Sequence, residues 1–208
     1  MHRLSIALAA AVMWLALPAA APAQTVLTPG EFAAIDAVYA AFGAFSDANG
    51  ATPADRRAAR AACNGLGSTS PVLAGLRRSC NAQLSVGPAL GASARCRGRA
   101  GCLIAVRRVR RTLGELIVLS RASNRRVTAG GFAADCRREL RVDMGTLTYY
   151  TRLRSGFAQL ERALRIRSGR LARRAERRIN RLEQPDSRSP ERQRAAYQAA
   201  CGPPSQYG

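Results

Sequence analysis

The sequence predicts an all-α fold, a disulfide-stapled helical bundle of about six to eight helices with antiparallel packing. Three features predict it. Helix-start signals of one type recur along the chain, apolar residues fall at helical spacing, and alternating β-branched runs are absent. Alanine and arginine, both good helix formers, dominate the composition.

A first helix is expected over about 29–47, ending near Asn49-Gly50. Thr28-Pro29-Gly30-Glu31 opens it as a capping box, with a hydroxyl at the N-cap, proline at N1 and an acid at N3. Phe32, Ile35, Val38, Tyr39, Phe42 and Phe45 form one stripe, which reads as core packing rather than a ligand-binding aromatic cluster. Segment 24–50 carries three acids and no arginine, so it is expected to dock beside arginines of a later helix. The second helix, about 53–65, starts the same way at Thr52-Pro53-Ala54-Asp55. Ser70-Pro71 starts a third, about 71–85, and Gly87-Pro88 with the Gly/Arg/Cys stretch 91–101 reads as an irregular loop.

A long helix over about 101–123 is expected to bury Leu103, Val106, Val109, Leu113, Leu116 and Ile117, with Gly130-Gly131 interrupting. Another helix starts near Phe132 and bends near Gly145. It continues into Tyr150, Leu153, Phe157, Leu160 and Leu164, spaced 3-4-3-4 as in an antiparallel bundle seam. Ser168-Gly169 breaks it, because Arg167 and Arg178 would otherwise crowd the apolar stripe. A basic helix over about 170–183, a linker over 184–189 and a last helix from Pro190 to Cys201-Gly202 complete the chain.

Residues 1–23 read as a cleaved signal peptide. His2 and Arg3 precede an apolar run from Leu4 to Leu17, and Ala21-Pro22-Ala23 is a small-x-small site. The run is shorter than the ~20 residues of a membrane span. Residues 24–202 are then expected as one helical domain and 203–208 as a flexible tail. Localisation is secreted, periplasmic or at the cell envelope. Cys63, Cys80, Cys96, Cys102, Cys136 and Cys201 all fall in the mature part, an even count that suits three disulfides. Six cysteines admit fifteen connectivities. Spacing pairs Cys96 with Cys102 first and leaves Cys63–Cys80 and Cys136–Cys201 as the favoured remainder.

All 33 basic side chains are arginine, and the formal net charge is +20. Without the leader no histidine or lysine remains. That excludes histidine-dependent hydrolysis and leaves carboxylates and tyrosine for acid–base work. Arginine crowds 51–111 and 152–181. Arg162, Arg165, Arg170, Arg173, Arg177 and Arg181 would share one face of a continuous helix, and Arg107, Arg108 and Arg111 add to the basic surface. These nine are the expected polyanion-binding residues. The expected partner is an envelope polymer, nucleic acid or an anionic lipid surface. A GC-rich coding bias producing a merely solvated charge is the competing reading.

No catalytic residue is assigned, and neither a metal nor a cofactor is expected. Glu115, beside Arg108 and Arg111, reads as a surface salt-bridge residue. Asp135, Glu139 and Asp143 would line one face of a helix, too spread to cage one ion. The alternatives to a binding protein are a carboxylate-dependent glycan hydrolase and a protein-interaction module with incidental charge.

Overall fold

The computed structural model describes residues 25–47, 52–183 and 189–202. The expected leader, the Asn49-Gly50 turn, positions 184–188 of the linker and the 203–208 tail lie outside the described residues, as does the Phe45 side chain. Eight helices occur among the described residues: α1 Pro29–Asp47, α2 Pro53–Gly65, α3 Pro71–Ala94, α4 Gly98–Ala129, α5 Ala134–Leu140, α6 Met144–Arg165, α7 Gly169–Asn180 and α8 Pro190–Cys201. Their one β-type pairing is a parallel bridge from Thr25 to Phe132.

The start signals act as the sequence implies. Thr52 Oγ1 accepts from the Asp55 amide at 3.2 Å while the Asp55 carboxylate takes the Thr52 amide at 2.8 Å. Thr28 and Glu31 form the same reciprocal pair. Ser70 Oγ accepts from the Leu73 amide, and Ser189 Oγ from the Arg192 amide. Each contact satisfies a donor that a helix start would otherwise leave without a partner.

Helices α3 and α4 form an antiparallel hairpin that spans the molecule. The Cys96–Cys102 disulfide staples its turn, and Gly98 there takes φ 67°, a left-handed conformation that glycine adopts without a Cβ penalty. The hairpin is longer than the sequence reading allowed. Gly87-Pro88 does not end α3, which continues to Ala94, and α4 starts at Gly98 rather than 101 and runs to Ala129 rather than 123. Pro88 costs the helix one hydrogen bond, but Ala82, Val86 and Ala89 on either side are buried on α4, so packing carries the helix through. Small residues let the pair approach. Ser79 and Ser120 share a 2.8 Å hydrogen bond, and a Cβ on Gly75 would stand 3.4 Å from the Ser123 backbone.

Two apolar clusters form along this hairpin. Near the α3 start and α4 end, α1, α2, α5 and α8 contribute Ile35, Cys63, Leu66, Leu140 and Tyr197. Near the other ends, α6 and α7 contribute Leu153, Phe157, Leu160 and Ala175 against Val106, Val109, Leu113 and Leu116. The seam residues Leu153, Phe157 and Leu160 are buried and Tyr150 and Leu164 half-buried, as their 3-4 spacing implies. Leu103 is only half-buried.

The acidic first helix docks where the sequence placed it. The Arg194 guanidinium grips Asp36 through two bonds, Nε to Oδ1 at 2.8 Å and Nη2 to Oδ2 at 2.6 Å, and Gln198 adds a third. The Arg194 bonds hold the Asp36 carboxyl below its ordinary range. Tyr197 is fully buried between the rings of Phe32 and Tyr39, each centred 5.1 Å away. The disulfides are Cys63–Cys80, Cys96–Cys102 and Cys136–Cys201, the pairing that spacing favoured.

Burial dominates the tyrosine titration. It pushes Tyr39 up to about 12, and it raises Tyr197 further still, with Tyr39, Asp36 and Glu31 adding repulsion. A raised folded pKa means these hydroxyls favour the fold below the unfolded value near 10 and oppose it as pH climbs beyond. Absorbance at 295 nm is expected to show a tyrosinate fraction released only near pH 12 or above, together with loss of helical circular dichroism. Full ionisation near pH 10 with helicity intact would contradict this burial.

The break after α5 differs from the expected bend at Gly145. Asn124 on α4 donates to the Val142 carbonyl at 2.7 Å and accepts from the Val142 amide at 2.9 Å, pinning an extended connection. Asp143 then caps α6, accepting from the Gly145 and Thr146 amides. Asp135, Glu139 and Asp143 therefore do not share a helix face, since the chain turns between the second and third. Asp135 and Glu139 instead flank Arg138.

Candidate arginine groove

Helix α6 lies antiparallel on α4, and along their contact six arginines open onto one groove of about 810 Å³. Arg107, Arg110, Arg111 and Arg121 come from α4, at spacings that keep them on one ridge. Arg154 and Arg165 come from α6. Gly114 is part of the design. A Cβ there would lie 3.0 Å from Arg154 Nε, so its absence gives the Arg154 side chain room to cross α4.

Glu161 organises the groove. It is only 1% exposed, yet it is a glutamate on the α6 face that packs against α4. Arg107 Nε donates to its Oε1 at 3.0 Å, Arg165 Nη2 donates to the same oxygen, and Arg110 Nη1 donates to Oε2. The three arginine side chains are 47%, 55% and 41% exposed in that order, so each reaches from the buried carboxylate back to water. Burial pulls the Glu161 pKa up, but hydrogen bonds from Arg107 and Arg165 and the charges of Arg110 and Arg165 outweigh it, and the carboxyl titrates below its ordinary range. It stays ionised and accepts from three guanidiniums. That suits an anchor for guanidiniums and is the opposite of the raised pKa of a general acid.

Each guanidinium carries five N–H donors, and Glu161 takes few of them. Three cations against one anion leave an excess of positive charge at one point. The remaining donors are held in place rather than sampled by flexible side chains, and fixed forks of this kind match oxyanions bidentately.

Six of the nine sequence-predicted residues are divided between two grooves. Arg107, Arg111 and Arg165 line the α4–α6 groove. Arg162, Arg177 and Arg181 line a second one between α6 and α7, with Arg174 and Arg178. Arg170 and Arg173 are exposed on α7 and Arg108 on α4, and none of the three lines either groove. The single face of a continuous helix is not formed. Arg167 takes φ 56°, Ser168 Oγ caps Leu171, and α7 folds back on α6. Gly156 permits that return, because a Cβ there would meet Ile179 Cγ1 at 2.6 Å. Arg178 is exposed in the second groove rather than crowding a core stripe.

The sequence reading missed Arg110, Arg121, Arg154 and Glu161. One signal was available: Arg154, Glu161 and Arg165, spaced seven and four, mark a polar stripe on α6. Glu115 also lines the groove but is exposed and makes no ion pair among the described residues, so the expected salt bridge to Arg108 or Arg111 is not formed. Its neighbours Arg107 and Arg110 turn to Glu161 instead. Among the described residues, no aromatic side chain lines either groove.

Among the described residues, no three His, Cys, Asp or Glu side chains are placed to hold a metal ion, and no helix is long and apolar enough to cross a membrane. Compared with known proteins, the chain matches no family model, no curated protein and no solved structure.

Proposed function

We propose that this is an exported protein that binds an anionic partner at or outside the cell envelope through its arginine surface, without catalysis. One observation carries the reading: six arginines line the α4–α6 groove, and a single buried carboxylate holds three of them. Coding bias accounts for arginine in place of lysine, but it does not account for guanidiniums collected and fixed on one side of two helices. Three disulfides and the apolar leader support an oxidising destination. Without aromatic stacking platforms, contact with a nucleic acid would be to its backbone, with little sequence preference.

A salt titration of the oxidised mature protein tests the proposal, with duplex DNA, a phosphate-rich wall polymer and anionic vesicles as ligands. Tight binding to at least one of them is expected at ~150 mM salt, with log affinity falling linearly in log salt. Absent binding, or equal weak binding to all three, would leave the charge without a partner.

A further inference from the structure

We infer that the Glu161 cluster is a receptor for one terminal phosphate carried on an apolar body, the head of a phosphorylated amphiphile. The site is part of the arginine surface proposed above to bind anions, and it rests on that reading. It goes further in naming the ligand class.

Charge points to the head group. Arg107, Arg110 and Arg165 share one carboxylate, which leaves two positive charges uncompensated where the three guanidiniums meet. A phosphate monoester carries about −1.5 to −2 near neutral pH and three acceptor oxygens, so one group balances the excess of this three-arginine cluster. A backbone phosphodiester carries half that charge and is bonded on both sides. The free N–H groups are also positioned before the ligand arrives, because Glu161 has already oriented their forks.

The groove floor points to the body. The space is far larger than one phosphate, and beyond the arginines and Glu161 it is lined by Gly114, Ile117, Val118 and Leu119, with Glu115 as the one further charged side chain. Val118 is 65% exposed there, an apolar side chain held in water among cations. An acyl or other apolar chain lying along the groove would cover it. A duplex backbone or a wall polymer has nothing comparable to place on that floor.

The test measures binding of inorganic phosphate and of a long-chain alkyl phosphate below its micelle concentration, to the full oxidised protein at ~150 mM salt. Duplex DNA is titrated in parallel. The alkyl phosphate is expected to bind at least about tenfold tighter than inorganic phosphate. Glu161→Gln is expected to weaken it by at least about tenfold, although that variant gains a positive charge. Arg57→Gln with Arg60→Gln, which removes two exposed charges on α2, should change it by less than about twofold. Val118→Ser, at an exposed position that leaves the fold undisturbed, should weaken the alkyl phosphate several-fold and leave inorganic phosphate unchanged. Equal affinity for the two phosphates, or undiminished binding by folded Glu161→Gln, would overturn the inference. Tight DNA binding without alkyl phosphate binding would retain the broader anion reading and reject the amphiphile. Loss of both, with no binding to the wall polymer or anionic vesicles either, would reject the two together.

Discussion

Replacing Cys136 and Cys201 together with alanine is expected to cost about 4 kcal/mol of stability, the largest loss from removing any one of the three bridges. The bond closes 65 residues of chain, against 17 for Cys63–Cys80 and 6 for Cys96–Cys102. A cross-link restricts the unfolded chain more as the loop it closes lengthens, so the three deletions should rank in that order, at about 4, 3 and 2 kcal/mol. For a domain of this size the first corresponds to a fall in Tm of about 8–16 °C. The consequence is local as well. Cys201 ends α8, and α8 carries Tyr197, Arg194 and Gln198 onto α1. Without the bond, α8 is held by noncovalent contacts alone, and the near-ultraviolet signal of the stacked Phe32, Tyr197 and Tyr39 should weaken first. An unchanged Tm in the C136A/C201A protein, or a larger loss from the Cys96–Cys102 pair, would contradict the account.

Substituting Glu161 with alanine should destabilise the fold by about 2–3 kcal/mol at neutral pH. Breaking a buried ion pair by removing one partner typically costs more, about 3–5 kcal/mol. Here the stranded guanidiniums are about half exposed and can turn to water, which reduces the cost. The pH dependence has a definite sign. The folded pKa of Glu161 is depressed, so its contribution is complete above the ordinary value of 4.5 and is lost as pH falls through the folded value. The Arg194 bonds depress Asp36, and Thr146 and the Gly145 amide outweigh burial to depress Asp143, so both act in the same direction. Thermal melts of the wild type should therefore be flat from neutral pH to about 5 and fall steeply below 4.5. The difference between wild type and Glu161→Ala should shrink over that acid range. A difference as large at pH 3 as at pH 7 would show that Glu161 is not the ionised anchor described.

Much of the architecture was legible in the chain. The Thr-Pro and Ser-Pro starts placed the N-termini of α1, α2, α3 and α8 because a cap is a local transaction between a hydroxyl and an amide three residues on. Spacing singled out Cys96–Cys102, while Cys63–Cys80 and Cys136–Cys201 were the favoured remainder among fifteen connectivities, and all three pairs form. The ends of α3 and α4 were hidden for a tertiary reason: Gly87-Pro88 signals a break, and only the buried contacts of Val86 and Ala89 with α4 override it. The break at Arg141–Asp143 likewise depends on Asn124, eighteen residues away, pairing with the Val142 backbone. The groove was hidden most of all. Arg107, Arg111 and Arg165 were recognisable as basic, but Glu161 looked like one of two acids in a basic segment. That it is buried against Arg107 and Arg110 depends on which helix faces which, and local periodicity does not encode that.

The central claim is that anion binding resides in the α4–α6 groove and not in net charge at large. The most direct measurement compares Arg111→Gln/Arg154→Gln with Arg57→Gln/Arg60→Gln, two variants with the same loss of charge, for affinity toward anionic vesicles and duplex DNA at ~150 mM salt. A loss of at least about tenfold in the groove variant, with less than about twofold in the α2 variant, is the expected result. Equal losses in both would contradict it, because every arginine would then count alike wherever the fold placed it.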